Sequence, residues 1–246
     1  MGKYDFTAQR LFVSQPLTDG AEVDPGPDAA HYLVHVLRLK EGADILLFNG
    51  TDGEWRCRIA TVTKRACTLR CEEQVRVQDT WPDIDYLFAP LKRSRLDYMV
   101  QKAAEMGVAR LQPVLTQHTM AERVNLDRMR ANAIEAAEQC GIMHIPDVRE
   151  PMKLDAVLGA WDTSRTLIFC DEAADVANPI EAMRDLPGSK LAVLVGPEGG
   201  FSEGEQKLLR GKPYTRAISL GPRILRADTA AVAALALVNA VAGDWR

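Results

Sequence analysis

The sequence contains no run of about eighteen apolar residues, so it offers no helix that would cross a membrane. Its five cysteines, Cys57, Cys67, Cys71, Cys140 and Cys170, are odd in number and irregularly spaced, with no CxxC. That spacing argues against a disulfide framework and a zinc site, and predicts free cytosolic thiols. Histidine is scarce, with four in all, and His31 and His35 form the only close pair. An HExxH helix is absent, so no metal is expected. The opening MGKYDFTAQRLFV has neither the long apolar segment nor the cleavage site of a secretory signal, and Phe6 stands where myristoylation needs Ser or Thr. Excess positive charge is also missing. With 30 Lys and Arg against 34 Asp and Glu, the net charge of −4 argues against a generic nucleic-acid coat protein but allows a local basic patch.

What is present is enough for a substantial core: 246 residues, 47% of them hydrophobic, allow one large domain or two modest ones. The first part reads as β. Apolar runs at 44–48, 54–62 and 66–71, with Asn49-Gly50 and Asp52-Gly53 as turn signals, suggest a small barrel. His31 to Leu39 also suits a short helix. After Gln74 to Pro82, read as a linker, strands and helices alternate. Strands are expected at 84–91, 111–115, 167–170, 191–195 and 217–220. Helices are expected from Ser94 (as N-cap) to Gly107, from Leu126 to Gln139, from Ser202 to Arg210 and from about Thr229 to Ala242. Alternation of this kind predicts an α/β fold with a parallel sheet covered on both faces. The domains are accordingly drawn as 1–74 and 75–246.

Two stretches carry the chemistry. In LVGPEGGFSEGE, Leu194 to Glu205, an apolar strand stops at Gly-Pro, and Ser202 with Glu205 makes a capping box. The loop is therefore a strand-to-helix turn at the carboxyl end of a strand, where open α/β sheets bind ligands. Glycines there either let backbone approach a ligand or only shape the turn. The pattern is not GxGxxG, which disfavours a nicotinamide site. AISLGPRILRADTAAVAALALV repeats the layout, and two neighbouring strands ending in such loops would form one pocket wall. Asp228 is read either as the N-cap of the last helix or as a functional carboxylate. Arg226 is read either as a surface ion-pair partner or as a site residue. The alanine-rich helix suits close packing in the core or at a subunit interface.

Together LVGPEGGFSEGE and SLGPRILRADTAA resemble the RsmE family of bacterial 16S rRNA uridine-N3 methyltransferases, of the SPOUT (α/β-knot) class. Arg10-Leu11-Phe12-Val13, HYLVHVLRLKEGADILLFNG, QKAAEMGV and IEAAEQCG with Ile145-Pro146 extend the likeness along the chain. The resemblance implies a PUA-like β-barrel for RNA, then a trefoil-knotted methyltransferase domain that binds S-adenosylmethionine and pairs as a homodimer. It implies that Val195, Gly196, Glu198, Leu220, Gly221, Ile224 and Leu225 hold the cofactor, with 16S rRNA of the small ribosomal subunit as partner. The chain departs from the family pattern at Asp228, where relatives carry Glu, at His118, where Arg is expected, and at Ile142 and His144, where Arg is common.

Methylating uridine N3 requires a uracil anion to be stabilised, or the N3 proton to be taken as the bond forms. A guanidinium can fork onto a uracil carbonyl oxygen, so Arg226 is the expected anion stabiliser. Asp228, or Glu198, is the candidate proton acceptor. Lys92, Arg93 and Arg95 cluster beside a helix N-terminus and are candidate phosphate contacts. In the barrel the candidates are Arg10, Arg38, Arg56 and Arg58, with alternation placing the last two on one face. Rival readings are a SPOUT enzyme acting on another RNA atom such as a ribose 2′-oxygen, a noncatalytic RNA-binding assembly factor, and, more remotely, a nucleotide-using metabolic enzyme.

Overall fold

The structure, a computed structural model, describes residues 8–63, 66–120, 123–174, 178–186 and 189–245. Phe6 and the start of the segment read for targeting signals lie outside these residues. The chain divides into two compact units, Met1–Thr80 with Ala137–Ile145, and Trp81–Ala136 with Pro146–Arg246. The first is thus discontinuous in sequence.

In the first unit, β1 (Arg10–Phe12), β2 (Glu22–Val23), β3 (Asp44–Phe48), β4 (Glu54–Val62) and β5 (Cys67–Arg76) form a five-stranded sheet in the order β1-β3-β4-β5-β2. Only the β1–β3 pairing is parallel. Strand alternation sends Cys57 and Ile59 into a core with Leu11, Ile45, Leu47 and Leu69. It turns Arg56 and Arg58 outward. Burial pushes the Cys57 and Cys71 thiols up, so both stay protonated and unreactive. The ambiguous stretch at His31 is helical. One turn, α1 (Pro27–His31), runs into a π-helical turn at Tyr32–Val36, and Arg38 then takes φ 57°.

Arg10 does not face solvent. It is 4% exposed, donates from Nε to Glu54 at 2.5 Å, and lies 4.3 Å from the centre of the Phe48 ring. It also donates to the carbonyl oxygens of Ala137, Glu138 and Ile142. Arg76 supplies a second guanidinium, to Glu54 at 2.8 Å and to the Gly141 carbonyl at 2.9 Å. Glu54 is completely buried and needs these partners, because an unpaired charge in such a place costs several kcal/mol. Arg10 is therefore withdrawn from the RNA candidates, since its guanidinium is committed to the interior.

The second unit is α/β. β6 (Ile84–Phe88), β7 (Arg110–Leu115), β8 (Asp147–Val148), β10 (Thr166–Cys170), β11 (Leu191–Val195) and β12 (Thr215–Ile218) run parallel in the order β12-β10-β11-β6-β7-β8. β9 (Met152–Lys153) adds to β7. Helices α2 (Arg93–Glu105), α3 (Leu126–Cys140, whose last residues belong to the first unit), α4 (Leu154–Gly159), α5 (Pro179–Met183), α6 (Glu203–Arg210) and α7 (Ala227–Ala242) complete it. Near the amino ends of the strands, Asp83 and Asp85 pair with Arg110 and Arg165. Burial pushes the Asp85 carboxyl up against the pull of both arginines.

Three expectations change here. β11 and β12 are not neighbours, because β10 lies between them. α2 begins earlier than expected, with Lys92 at the cap and Ser94 inside the first turn. The Asp97 carboxylate accepts from Arg128 at 2.8 and 2.6 Å and from Asn132 at 2.9 Å. α7 starts at Ala227 with Arg226 as its cap residue, so Asp228 sits within the first turn and accepts from the Thr229 amide.

Candidate active site

A cavity of about 240 Å³ opens at the carboxyl ends of β10, β11 and β12. All seven residues expected at the cofactor, Val195, Gly196, Glu198, Leu220, Gly221, Ile224 and Leu225, line it, and so does Arg226. The lining does not include Asp228. It does include Cys170, Asp171 and Glu172 from the end of β10. Reading two glycine-proline loops along the chain could not supply that middle wall. The available signal was a strand ending in two carboxylates.

The Val195–Ser202 loop is shaped by what holds it. Its far end is the capping box: Ser202 Oγ accepts from the Glu205 amide, and the Ser202 amide donates to Glu205 at 2.9 Å. Phe201 plugs into the core against Phe169, with ring centroids 5.1 Å apart. Gly196 is required by that plug, since a Cβ there would fall 2.5 Å from the Phe201 ring. Gly200 takes φ +68°, a region that disfavours side chains, and a Cβ there would lie 3.2 Å from Glu172 Oε1. Asp171 is buried, accepts from Arg210 Nε at 2.7 Å, and ties β10 to the helix that continues the loop. Burial pushes the Cys170 thiol up to about 12, which removes it as a nucleophile near neutral pH.

The charges divide by wall. Asp171, Glu172 and Glu198 are acidic, and Glu198 pairs with Arg95 at 2.8 Å. On the loop after β12, Arg223 and Arg226 are exposed and make no ion pair among the described residues. Between them Ile224 is 92% exposed.

His118 sits beside the glycine loop without lining the cavity. Its Nδ1 donates towards the Gly199 and Gly200 carbonyl oxygens, at 3.1 and 3.2 Å. The adjacent Gln117 amide donates to Glu205 Oε1 at 2.8 Å. Ile142 packs beside Phe48 and Met143 in the first unit, and its carbonyl receives Arg10.

The cations considered for RNA fall into two groups. Lys92, Arg93 and Arg38 are exposed and make no ion pair among the described residues. Arg56 pairs with Glu73 at 2.5 Å, and Arg58 with Asp44 and Glu72 at 3.3 Å each. Arg95 is engaged with Glu198.

Residues 79–239 match the RNA methyltransferase domain family, and residues 25–71 match the RNA methyltransferase PUA domain family. A relative from Rickettsia conorii, a ribosomal RNA small subunit methyltransferase E, is 31% identical over 232 residues, covering 94% of each chain. A putative methyltransferase from Legionella pneumophila, solved with bound S-adenosylmethionine, superposes with a TM-score of 0.82 at 29% identity, over 95% of this chain and 97% of that one. The small subunit methyltransferase E of Neisseria gonorrhoeae, solved with S-adenosylmethionine, gives a TM-score of 0.83 at 25% identity, over 97% and 100%. With two domain matches in order and full-length relatives on both counts, the chain belongs to the RNA methyltransferase family that includes the small-subunit ribosomal RNA methyltransferases E.

Proposed function

We propose that this protein transfers a methyl group from S-adenosylmethionine to N3 of a uridine in 16S rRNA, acting in the cytoplasm as a homodimer of its knotted domain on the small ribosomal subunit. The observation that carries the reading is the convergence of three strand ends on one cavity whose lining includes an exposed Arg226 with no ion pair among the described residues.

The cavity suits the cofactor chemically. Val195, Leu220, Ile224 and Leu225 offer apolar walls to an adenine, and the glycine loops offer backbone amide and carbonyl groups. Glu172 and Glu198 suit a ligand carrying an ammonium and a sulfonium, whereas the Asp171 carboxylate is committed to Arg210. When bound, the cofactor supplies an activated methyl group. The protein contributes alignment, because an in-line displacement depends on holding nucleophile and methyl in register. Arg226 holds the uracil as its N3 loses a proton, its permanent charge stabilising the anion at a carbonyl oxygen. Glu198 lines the cavity, with Arg95 on one of its two carboxylate oxygens, whereas Asp228 is not among the lining residues and accepts from the Thr229 amide, so Glu198 is the better placed acceptor. Lys92 and Arg93 supply phosphate contacts beside the start of α2, and Arg38, Arg56 and Arg58 supply cations on the barrel.

The test combines calorimetric titration of S-adenosylmethionine with mass-spectrometric mapping of methyluridine in small-subunit RNA from cells with and without the protein. Arg226→Ala is expected to lower methyl transfer at least a hundredfold, in the range of losing one anion-stabilising group, with unchanged cofactor affinity. Near-normal turnover in that variant, or methylation at a ribose oxygen, refutes the assignment.

A further inference from the structure

We propose that His118 is a positioning residue for the cofactor: from outside the cavity it fixes the carbonyl groups of the glycine loop, so that this loop's geometry is set by the β7–α3 connection as well as by its own strand and helix. The inference rests on the reading of the cavity as an S-adenosylmethionine site.

Four observations carry it. The Nδ1 of His118 faces two consecutive loop carbonyl oxygens, Gly199 at 3.1 Å and Gly200 at 3.2 Å. Within the loop the Gly200 amide donates to the Pro197 carbonyl at 2.9 Å, and because two successive glycines have little conformational preference of their own, the histidine adds a second, external restraint on how those peptides turn. Residue 199 is packed as well as bonded, since a Cβ there would approach His118 Cβ at 3.2 Å. The histidine is itself held. Its turn is closed by the Thr116 amide donating to Thr119 Oγ1 at 2.9 Å and the Thr119 amide donating to the Thr116 carbonyl at 3.2 Å. The fourth contact meets the far end of the same loop. Glu205 accepts from the Gln117 amide on Oε1 at 2.8 Å and from the Ser202 amide on Oε2 at 2.9 Å, so one carboxylate joins the capping box to the 116–119 turn.

The arrangement has a functional direction. Gly200, Glu198 and Gly196 line the cavity, while His118 and Gln117 stand behind them. With Nδ1 donating to the loop, His118 leaves the cavity wall to backbone groups and alters the loop's peptide orientation without touching the ligand. Peptides already turned the right way bind at lower cost than peptides that must be ordered on binding.

The experiment uses the full chain and titrates S-adenosylmethionine calorimetrically into wild type, His118→Ala and His118→Asn. Asparagine carries an amide nitrogen at the same distance along the side chain as Nδ1. His118→Ala is expected to weaken binding roughly fivefold, the factor that one neutral hydrogen bond contributes, and His118→Asn to recover most of it. In steady-state methyl transfer, KM for the cofactor rises in the alanine variant while kcat at saturation stays within about twofold of wild type. Unchanged affinity in His118→Ala overturns the proposal, and so does an asparagine variant as weak as alanine, which would mean that ring packing alone matters. Absence of cofactor binding in the wild type itself would instead overturn the reading of the site on which the proposal rests.

Discussion

Replacing Gly196 by alanine tests how the Val195–Ser202 loop is anchored. The added methyl would lie 2.5 Å from Phe201 Cε2 and 2.9 Å from Cδ2, about 1 Å inside ordinary contact. The ring has nowhere to go, because it is buried against Phe169 within the cluster that includes Leu87, Leu194 and Leu209. Close-packed interiors resolve such overlap by strained rotamers or backbone shifts, at about 1–3 kcal/mol. Gly196 has no positive φ, so the whole cost is steric. Urea unfolding of Gly196→Ala, Phe201→Ala and the double variant separates the effects. Phe201→Ala alone should cost about 3–5 kcal/mol through the vacated space. In that background the extra methyl should cost less than about 0.5 kcal/mol, since its collision partner is gone. Gly204, with nothing within 4 Å of an added Cβ, provides the control, and Gly204→Ala in α6 should be neutral or stabilising by up to about 1 kcal/mol. The reasoning is refuted if Gly196→Ala matches wild type, or if it costs as much without the Phe201 ring as with it.

Other perturbations have equally definite outcomes. Arg10→Ala should destabilise the first unit by about 3–5 kcal/mol in thermal or urea unfolding, because it strips a partner from the fully buried Glu54. Lys92→Ala and Arg93→Ala should each lower the slope of log affinity for RNA against log salt by about one, whereas Arg56→Ala, already paired with Glu73, should change it less. The hydrogen bond from Arg128 holds the Asp97 carboxyl below the ordinary carboxylate range. A depressed folded-state value means that its stabilisation is present above about pH 4 and is lost as pH falls through the folded value. Urea midpoints measured between pH 6 and pH 2 should therefore fall more for wild type than for Asp97→Asn, and parallel curves would refute the linkage.

Local signals were read well wherever a residue's own neighbours decide its state. Leu191–Val195 is a compact apolar run that emerged as β11 unchanged, and Ser202 with Glu205 formed the expected capping box. The same reasoning failed at Ser94 in α2, because the helix already starts at Arg93 with Lys92 as its cap residue. Asp228 similarly lost the cap position to a helix that starts earlier at Ala227. Strand order is a long-range property, so nothing local announced that β10 would separate β11 from β12 and bring Asp171 and Glu172 into the cavity. His118 was singled out only as a departure from the family pattern. Its contacts span more than 80 positions along the chain and become visible only once the loop is folded.

The discontinuity of the first unit sets a timetable for its synthesis. Arg10 and Arg76 emerge early, but the carbonyl groups of Ala137, Gly141 and Ile142 that receive them are made much later. From Thr80 to Ile145 the ribosome must add 145 − 80 = 65 residues, roughly 3–13 s at about 5–20 residues per second. During that interval the nascent sheet carries a buried-type Glu54 and two arginines without their last acceptors. An amino-terminal fragment ending near residue 80 would keep Arg10 and Arg76 without those acceptors, and residues 137–145 are what supply them.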